Sequence, residues 1–118
     1  MTAPGEIRKL SEEIRKSAKL LTALGDEMRQ HLILVMMESG SCSGMRVNDI
    51  AAKTSLSRPA VSHHLQILKD AGIIRVRREG TKNYYYFDAD AEAMNQLIGM
   101  LKHAQQIMRE LPDRSGND

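Results

Sequence analysis

Apolar residues near the amino terminus recur at helical spacing. They follow steps of three, four, seven and three residues at Ile7, Leu10, Ile14, Leu21 and Leu24. This pattern predicts one helix that ends at Gly25, in which Ser17 is the one interruption of the apolar seam. From Glu27 to about Glu38 apolar side chains lie on nearly every side, which predicts a buried second helix with Asp26 as its N-cap.

The carboxyl-terminal part shows the same spacing without a break. Between about Asp90 and Leu111, steps of three and four separate Met94, Leu97, Leu101, Ala104, Met108 and Leu111. Such a seam is typical of coiled-coil-like packing between helices. Pro112 ends the predicted helix, and residues 112–118 are expected to form a flexible tail.

The middle of the chain predicts two short helices and a hairpin. The first helix covers about residues 47–53 with Asn48 as its cap, and the second begins after the N-cap Ser57 and stops at Gly72. Residues 73–78 then alternate apolar and basic, residues 79–83 form a turn, and the four aromatic residues 84–87 return. The expected fold is mostly α with a small β-hairpin, arranged as a winged helix-turn-helix.

The second short helix has two different faces. At about 100° per residue, Val61, Leu65 and Leu68 fall within about 60° of one another and form the predicted buried stripe. The opposite face presents short polar side chains that suit the edges of bases, and glutamine suits adenine. His64 borders the buried stripe, where an internal hydrogen bond is expected. The residues predicted to bind DNA, by reading bases or holding the backbone, are Arg58, Pro59, Ser62, His63, His64, Gln66, Arg77, Arg78, Thr81 and Lys82.

Length and charge narrow the class of protein. The 118 residues suit one domain, assigned to residues 1–111, and the segment from Ser57 to Asn83 holds six basic and two acidic residues in a chain of net charge +2. We find no apolar run of membrane length and no signal peptide, so a cytoplasmic protein without a membrane partner is expected. No nucleophile–base pair or phosphate-binding glycine loop indicates an enzyme, and no cofactor is expected.

Four segments closely resemble the ArsR/SmtB family of bacterial winged-helix repressors. They are Ala23–Asp26, Ser57–Leu65, Leu68–Ile74 and Arg77–Gly80. The resemblance covers about residues 20–111 and implies a homodimer that binds an inverted-repeat DNA operator and is released by an effector. The competing hypothesis is a protein-interaction module that uses the basic face.

The resemblance also implies a division of labour along the chain. Residues 1–25 and 90–111 would form the dimerisation helices, 47–71 the helix-turn-helix and 73–87 the wing. The residues predicted for the dimer interface are Ile7, Leu10, Ile14, Leu21, Met94, Leu97, Leu101, Ala104 and Met108.

Metal sites known in the family find little support in this sequence. The Cys-x-Cys pair before the turn is replaced by residues 46–50, which contain no cysteine. On the last helix only Asp90 and His103 survive as ligand types, with Glu92 as a further oxygen donor and Gln106 a poor ligand. We therefore expect no metal site, a helix start stabilised by Asp90 and Glu92, and a solvated His103. A divalent metal on the last helix, bound by Asp90 and His103, is the alternative.

The sequence does not decide the effector. Cys42 is the single cysteine of the chain and lies in a Ser/Gly segment, so it is a weak candidate for oxidation sensing. An organic small molecule bound between the first and last helices is a second hypothesis. A repressor without any small-molecule effector is the third.

Overall fold

The computed structural model describes residues 4–40, 43–88, 91–112 and 116. The predicted mostly helical fold with one antiparallel hairpin is confirmed. Its elements are α1 (Pro4–Lys16), α2 (Ala18–Leu24), α3 (Glu27–Glu38), α4 (Val47–Ala52), α5 (Arg58–Asp70), β1 (Ile74–Glu79), β2 (Lys82–Phe87) and α6 (Glu92–Glu110). No helix in these ranges is long and apolar enough to cross a membrane.

The first predicted helix is two helices, so the prediction of one continuous helix was wrong. Ser17 lies between α1 and α2, and its N–H donates to the carbonyls of Glu13 and Ile14, both at 3.1 Å. Its side chain is buried, whereas α1 contains no buried residue. The break therefore separates a helix that belongs to the core from one that does not.

Two helix starts test the predicted caps. Asp26 caps α3 as expected, since its carboxylate accepts from the N–H of Arg29 at 3.0 Å. The cap predicted at Asn48 was wrong, because Arg46 is the N-cap of α4 and makes no side-chain cap bond. Met45 is already fixed by a bridge to Tyr85, so the helix begins directly after Arg46.

The hairpin turns more tightly than residues 79–83 would allow. Glu79 pairs with Lys82, which leaves Gly80 and Thr81 as a two-residue turn, and Gly80 has φ +62°. Glycine at the first central position suits a type II′ turn. At the other end, Met45 and Tyr85 exchange backbone hydrogen bonds of 2.9 and 2.8 Å, which ties the segment before α4 to β2.

The core lies where α2, α3, α4 and α5 meet the start of the hairpin. Its fully buried side chains include Leu20, Leu32, Ile50, Val61, Leu65, Leu68 and Ile74. Helix α1 packs chiefly on α6 outside this core. We call the pair α1 and α6 the arm. The chain is accordingly elongated, at 58 × 30 × 23 Å.

Candidate nucleic-acid interface

Helix α5 is built to bury one stripe and expose the other. The Ser57 hydroxyl accepts from the N–H of Ala60 at 3.3 Å and so caps the helix. Val61, Leu65 and Leu68 have no exposed surface, as their spacing predicted. This burial fixes the rotation of α5 about its own axis.

The opposite face of α5 is open to solvent. Its exposed side chains are Arg58, Pro59, Ser62, His63 and Gln66. The Gln66 amide donates to Asp70 one turn later, at 2.8 Å. Since both groups are exposed, this bond exchanges readily with water or another partner, and the face offers donors and acceptors at the spacing of helix turns.

The basic residues of the hairpin are held by short local contacts. The Arg77 guanidinium donates to Glu79 at 2.9 Å and lies 5.0 Å from the centre of the Tyr84 ring. Arg78 donates to the Gly80 carbonyl at 3.0 Å. Exposed ion pairs of this kind contribute little to stability, so an anion competes with them at small cost. Thr81 and Lys82 are exposed at the turn and the start of β2.

His64 does not share the open face with His63. It is half-buried, and its Nδ1 lies 3.4 Å from Nη1 of Arg29 on α3. The predicted internal hydrogen bond is present. The partner could not be predicted, because Arg29 lies 35 residues earlier and nothing in the local pattern links the two residues.

Arg29 is a charged residue inside the fold, 9% exposed. Its Nε donates to the Ala23 carbonyl at 2.7 Å and its Nη2 to the Thr22 carbonyl at 3.1 Å. Its own backbone N–H donates to Asp26, and this bond holds the pKa of the Asp26 carboxyl below its ordinary value. Sequence reasoning missed Arg29, although a charged residue in an otherwise apolar helix was a usable signal.

The environment of His103 differs from the predicted solvated surface, so that prediction was wrong. One ring nitrogen bonds to Glu13 and the other to Glu6, the latter at 2.7 Å, and the side chain is 15% exposed. The hydrogen bonds to Glu13 and then Glu6 raise the pKa of His103 above its ordinary value. These partners lie 90 and 97 residues away in the sequence, so only the packing of α1 on α6 brings them together.

Within the described residues, His103 and the carboxylates around it do not form a metal site. The two carboxylates bind opposite nitrogens of His103 and do not converge on one point. Within residues 4–40, 43–88 and 91–112, no group of three His, Cys, Asp or Glu side chains is placed to hold a metal ion. Asp90 and Cys42 lie outside the described residues.

One largely apolar cavity, of about 350 Å³, has the size of a small-molecule site. It lies where α2, α3 and α6 meet the end of β2. Its lining residues are Leu24, Ile33, Met37, Ile73, Phe87, Asp88 and Met94.

Comparisons with known proteins agree with this architecture. The family model for bacterial regulatory proteins of the arsR family matches residues 29–76, from Arg29 through α5 into the wing. An uncharacterised HTH-type transcriptional regulator of Methanocaldococcus jannaschii is 39% identical over 79 residues, which cover 67% of this chain and 85% of that protein. A transcriptional repressor SmtB homolog of Synechocystis is 33% identical over 95 residues, covering 80% of this chain and 68% of its own length.

The chain is also similar in structure to a solved protein. The crystal structure of a predicted DNA-binding transcriptional regulator from E. coli is 31% identical, with a TM-score of 0.56 over 82% of this chain and 97% of that chain. Fold and site thus define a helix-turn-helix transcription regulator of the DNA-binding, non-enzymatic class. The chain belongs to the ArsR family of regulatory proteins.

Proposed function

We propose that the protein is a homodimeric repressor that binds an inverted-repeat DNA operator with α5 in the major groove. The observation that carries this proposal is the division of α5 into a fully buried stripe and an open polar face. In this role Ser62, His63 and Gln66 read base edges, and Arg58 at the start of the helix meets the backbone.

The wing supplies the second contact. Thr81 lies in the two-residue turn beyond the pairing of β1 and β2, and Arg77, Arg78 and Lys82 lie on the strands next to it. Cations on such a turn reach phosphates or an adjacent minor groove and add affinity without sequence preference. The local bonds of Arg77 and Arg78 are then exchanged for bonds to phosphate.

The arm supplies the dimer interface. Exposed apolar side chains line it at Ile7, Ile14, Ile98, Leu101 and Met108, and Leu21 on α2 is exposed as well. Five of these were predicted from the sequence, and a partner that covers them would bury a continuous apolar seam. Leu97 is buried in the core of the chain itself, and Leu10 and Met94 are partly buried against it, so these three support the arm from behind. Ala104 is half-buried.

The proposal is tested by titrating the full chain against fluorescent DNA from upstream of its own gene, and against random duplex, over a range of salt. Specific binding that falls steeply with salt is expected. Gln66→Ala should lose preference at one operator position, about 1–3 kcal/mol if the amide reads adenine. Binding without preference for any upstream sequence would contradict the proposal and favour the protein-interaction module.

The wing is tested in the same assay by Lys82→Ala. Affinity for operator and for random duplex should fall by the same factor, and the salt slope should decrease by about one. Lys9→Ala is the matched control, because Lys9 is an exposed cation on α1 and is not among the residues proposed to contact DNA. If Gln66→Ala and Lys82→Ala both bind as the native chain does, the recognition surface is elsewhere.

A further inference from the structure

We propose that His64 is a positioning residue of α5 that acts through Arg29, and is not a DNA contact. This inference rests on the proposed function and assigns a different role to one residue of the predicted interface. It also assigns a role to Arg29, which joins α2, α3 and α5 at one buried point.

Arg29 is anchored to the end of α2. Its guanidinium donates to the carbonyls of Ala23 and Thr22 in the last turn of α2. The Thr22 carbonyl also accepts from the N–H of Gly25, at 3.3 Å. A cation also suits the negative end of a helix. The Asp26 carboxylate lies 3.9 Å from Nη1, the nitrogen that also faces His64. Arg29 is therefore held by several bonds besides its contact with His64.

The contact with Arg29 determines the chemical form of His64. A guanidinium can only donate hydrogen bonds, so Nδ1 of His64 must be the acceptor at 3.4 Å. The ring is then neutral, with its proton on Nε2. One arginine thus fixes both the orientation of this side chain and its tautomer.

The contact between His64 and Arg29 affects how α5 is oriented for base reading. His64 and the neighbouring His63 lie on one helix with ring centres 5.7 Å apart, but only His63 is exposed. The buried stripe sets the rotation of α5 about its axis. The hydrogen bond from Arg29 to His64 further fixes α5 relative to the end of α2 and the start of α3. A reading helix needs this precision, because base-edge hydrogen bonds tolerate only small displacements.

Two substitutions of His64 separate positioning from DNA contact. His64→Asn places an amide near the position of Nδ1 and keeps an acceptor for Arg29. His64→Gln places its amide near the position of Nε2 and removes that acceptor. The same two changes at His63 are the matched control, since that side chain is exposed and proposed to contact DNA.

The inference predicts that His64→Asn binds operator within about threefold of the native chain, and that His64→Gln binds about tenfold more weakly. Both should keep the native salt slope, because no phosphate contact is lost. Arg29→Lys keeps the charge but not the fork of donors, so it should resemble His64→Gln. Combining Arg29→Lys with His64→Gln should weaken binding no further than either change alone.

The inference would be overturned by the opposite result. In that case His64→Gln would bind operator nearly as tightly as the native chain, and His64→Asn would bind weakly with a smaller salt slope. Nitrogen NMR of the free protein gives a readout that needs no DNA. His64 should show an unprotonated Nδ1 and a protonated Nε2 to a greater extent than the exposed His63, and Arg29→Lys should bring its tautomer population toward that of His63. If the native chain shows this tautomer but binds no DNA specifically, the proposed function fails while the Arg29–His64 contact stands; the opposite tautomer overturns the contact itself.

Discussion

The helix-turn-helix and the arm differ in how completely they are packed. In α5 the apolar stripe is fully buried, whereas α1 contains no buried residue and Leu101 and Met108 of α6 are 54% and 68% exposed. The radius of gyration is 18.3 Å, against about 13.5 Å for a compact domain of this length. The helix-turn-helix is therefore fully packed within one chain, and the arm has an apolar face that a second copy would cover in the proposed dimer.

The largest effect on stability is expected from a cavity in the buried stripe of α5. Leu65→Ala removes a side chain without exposed surface and should lower the free energy of unfolding by about 2–5 kcal/mol, measured by chemical denaturation. Met108→Ala removes an apolar side chain of the arm that is mostly exposed in one chain, so at a protein concentration low enough to keep the chain monomeric it should leave the free energy of unfolding almost unchanged. Equal losses for the two substitutions would contradict the contrast between the halves.

The next effect is expected from a charge in the arm. Leu101→Glu places a carboxylate on the proposed dimer face, and desolvating it there without a partner is costly. Sedimentation should show monomer at concentrations where the native chain is a dimer, and operator affinity should fall about 100-fold because only one half-site is held at a time.

A matched control for this substitution is Leu34→Glu. Leu34 is 51% exposed, close to the value for Leu101, but lies on α3 and outside the arm. It should leave the dimer and operator affinity intact. Dissociation of the dimer by Leu34→Glu instead would move the interface to α3.

The two halves also differ in how much of them could be predicted. Periodicity alone placed the buried stripe of α5, because that stripe is covered by neighbours from the same chain. The same method found the apolar seam of the arm but predicted one continuous helix across Ser17, and it did not separate Leu97, which is buried within one chain, from the exposed apolar side chains of α6. Periodicity reports that a face is covered and does not tell which element covers it.

Polar contacts between distant segments lay beyond prediction for a related reason. The bonds of His64 to Arg29 and of His103 to Glu6 and Glu13 depend on which helices are neighbours, and residue types alone do not give that. The turn of the hairpin was placed correctly but predicted too long, since glycine at Gly80 permits a positive φ and closes the turn in two residues.

The smallest effect is a pH dependence confined to the arm. Both ring nitrogens of His103 bond to carboxylates, an arrangement that suits the protonated ring, and these bonds to Glu13 and Glu6 raise its pKa above the ordinary value of 6.5. Because the pKa is raised on folding, the stabilisation is complete below about pH 6.5 and is lost as the pH rises through the higher value of the folded state. Helix α1 has no buried residue to replace it.

Hydrogen exchange of α1 amides should therefore be slower at pH 6 than at pH 9, after correction for the intrinsic rates. In His103→Gln this difference should shrink, because the group that titrates is gone, while α5 should exchange alike in both chains. Glu12→Gln is the matched control, since Glu12 is an exposed carboxylate of α1 that is not bonded to His103. If His103→Gln keeps the full pH dependence, another group controls the arm; if α5 loosens together with α1, the arm and the helix-turn-helix are not independent parts of the fold.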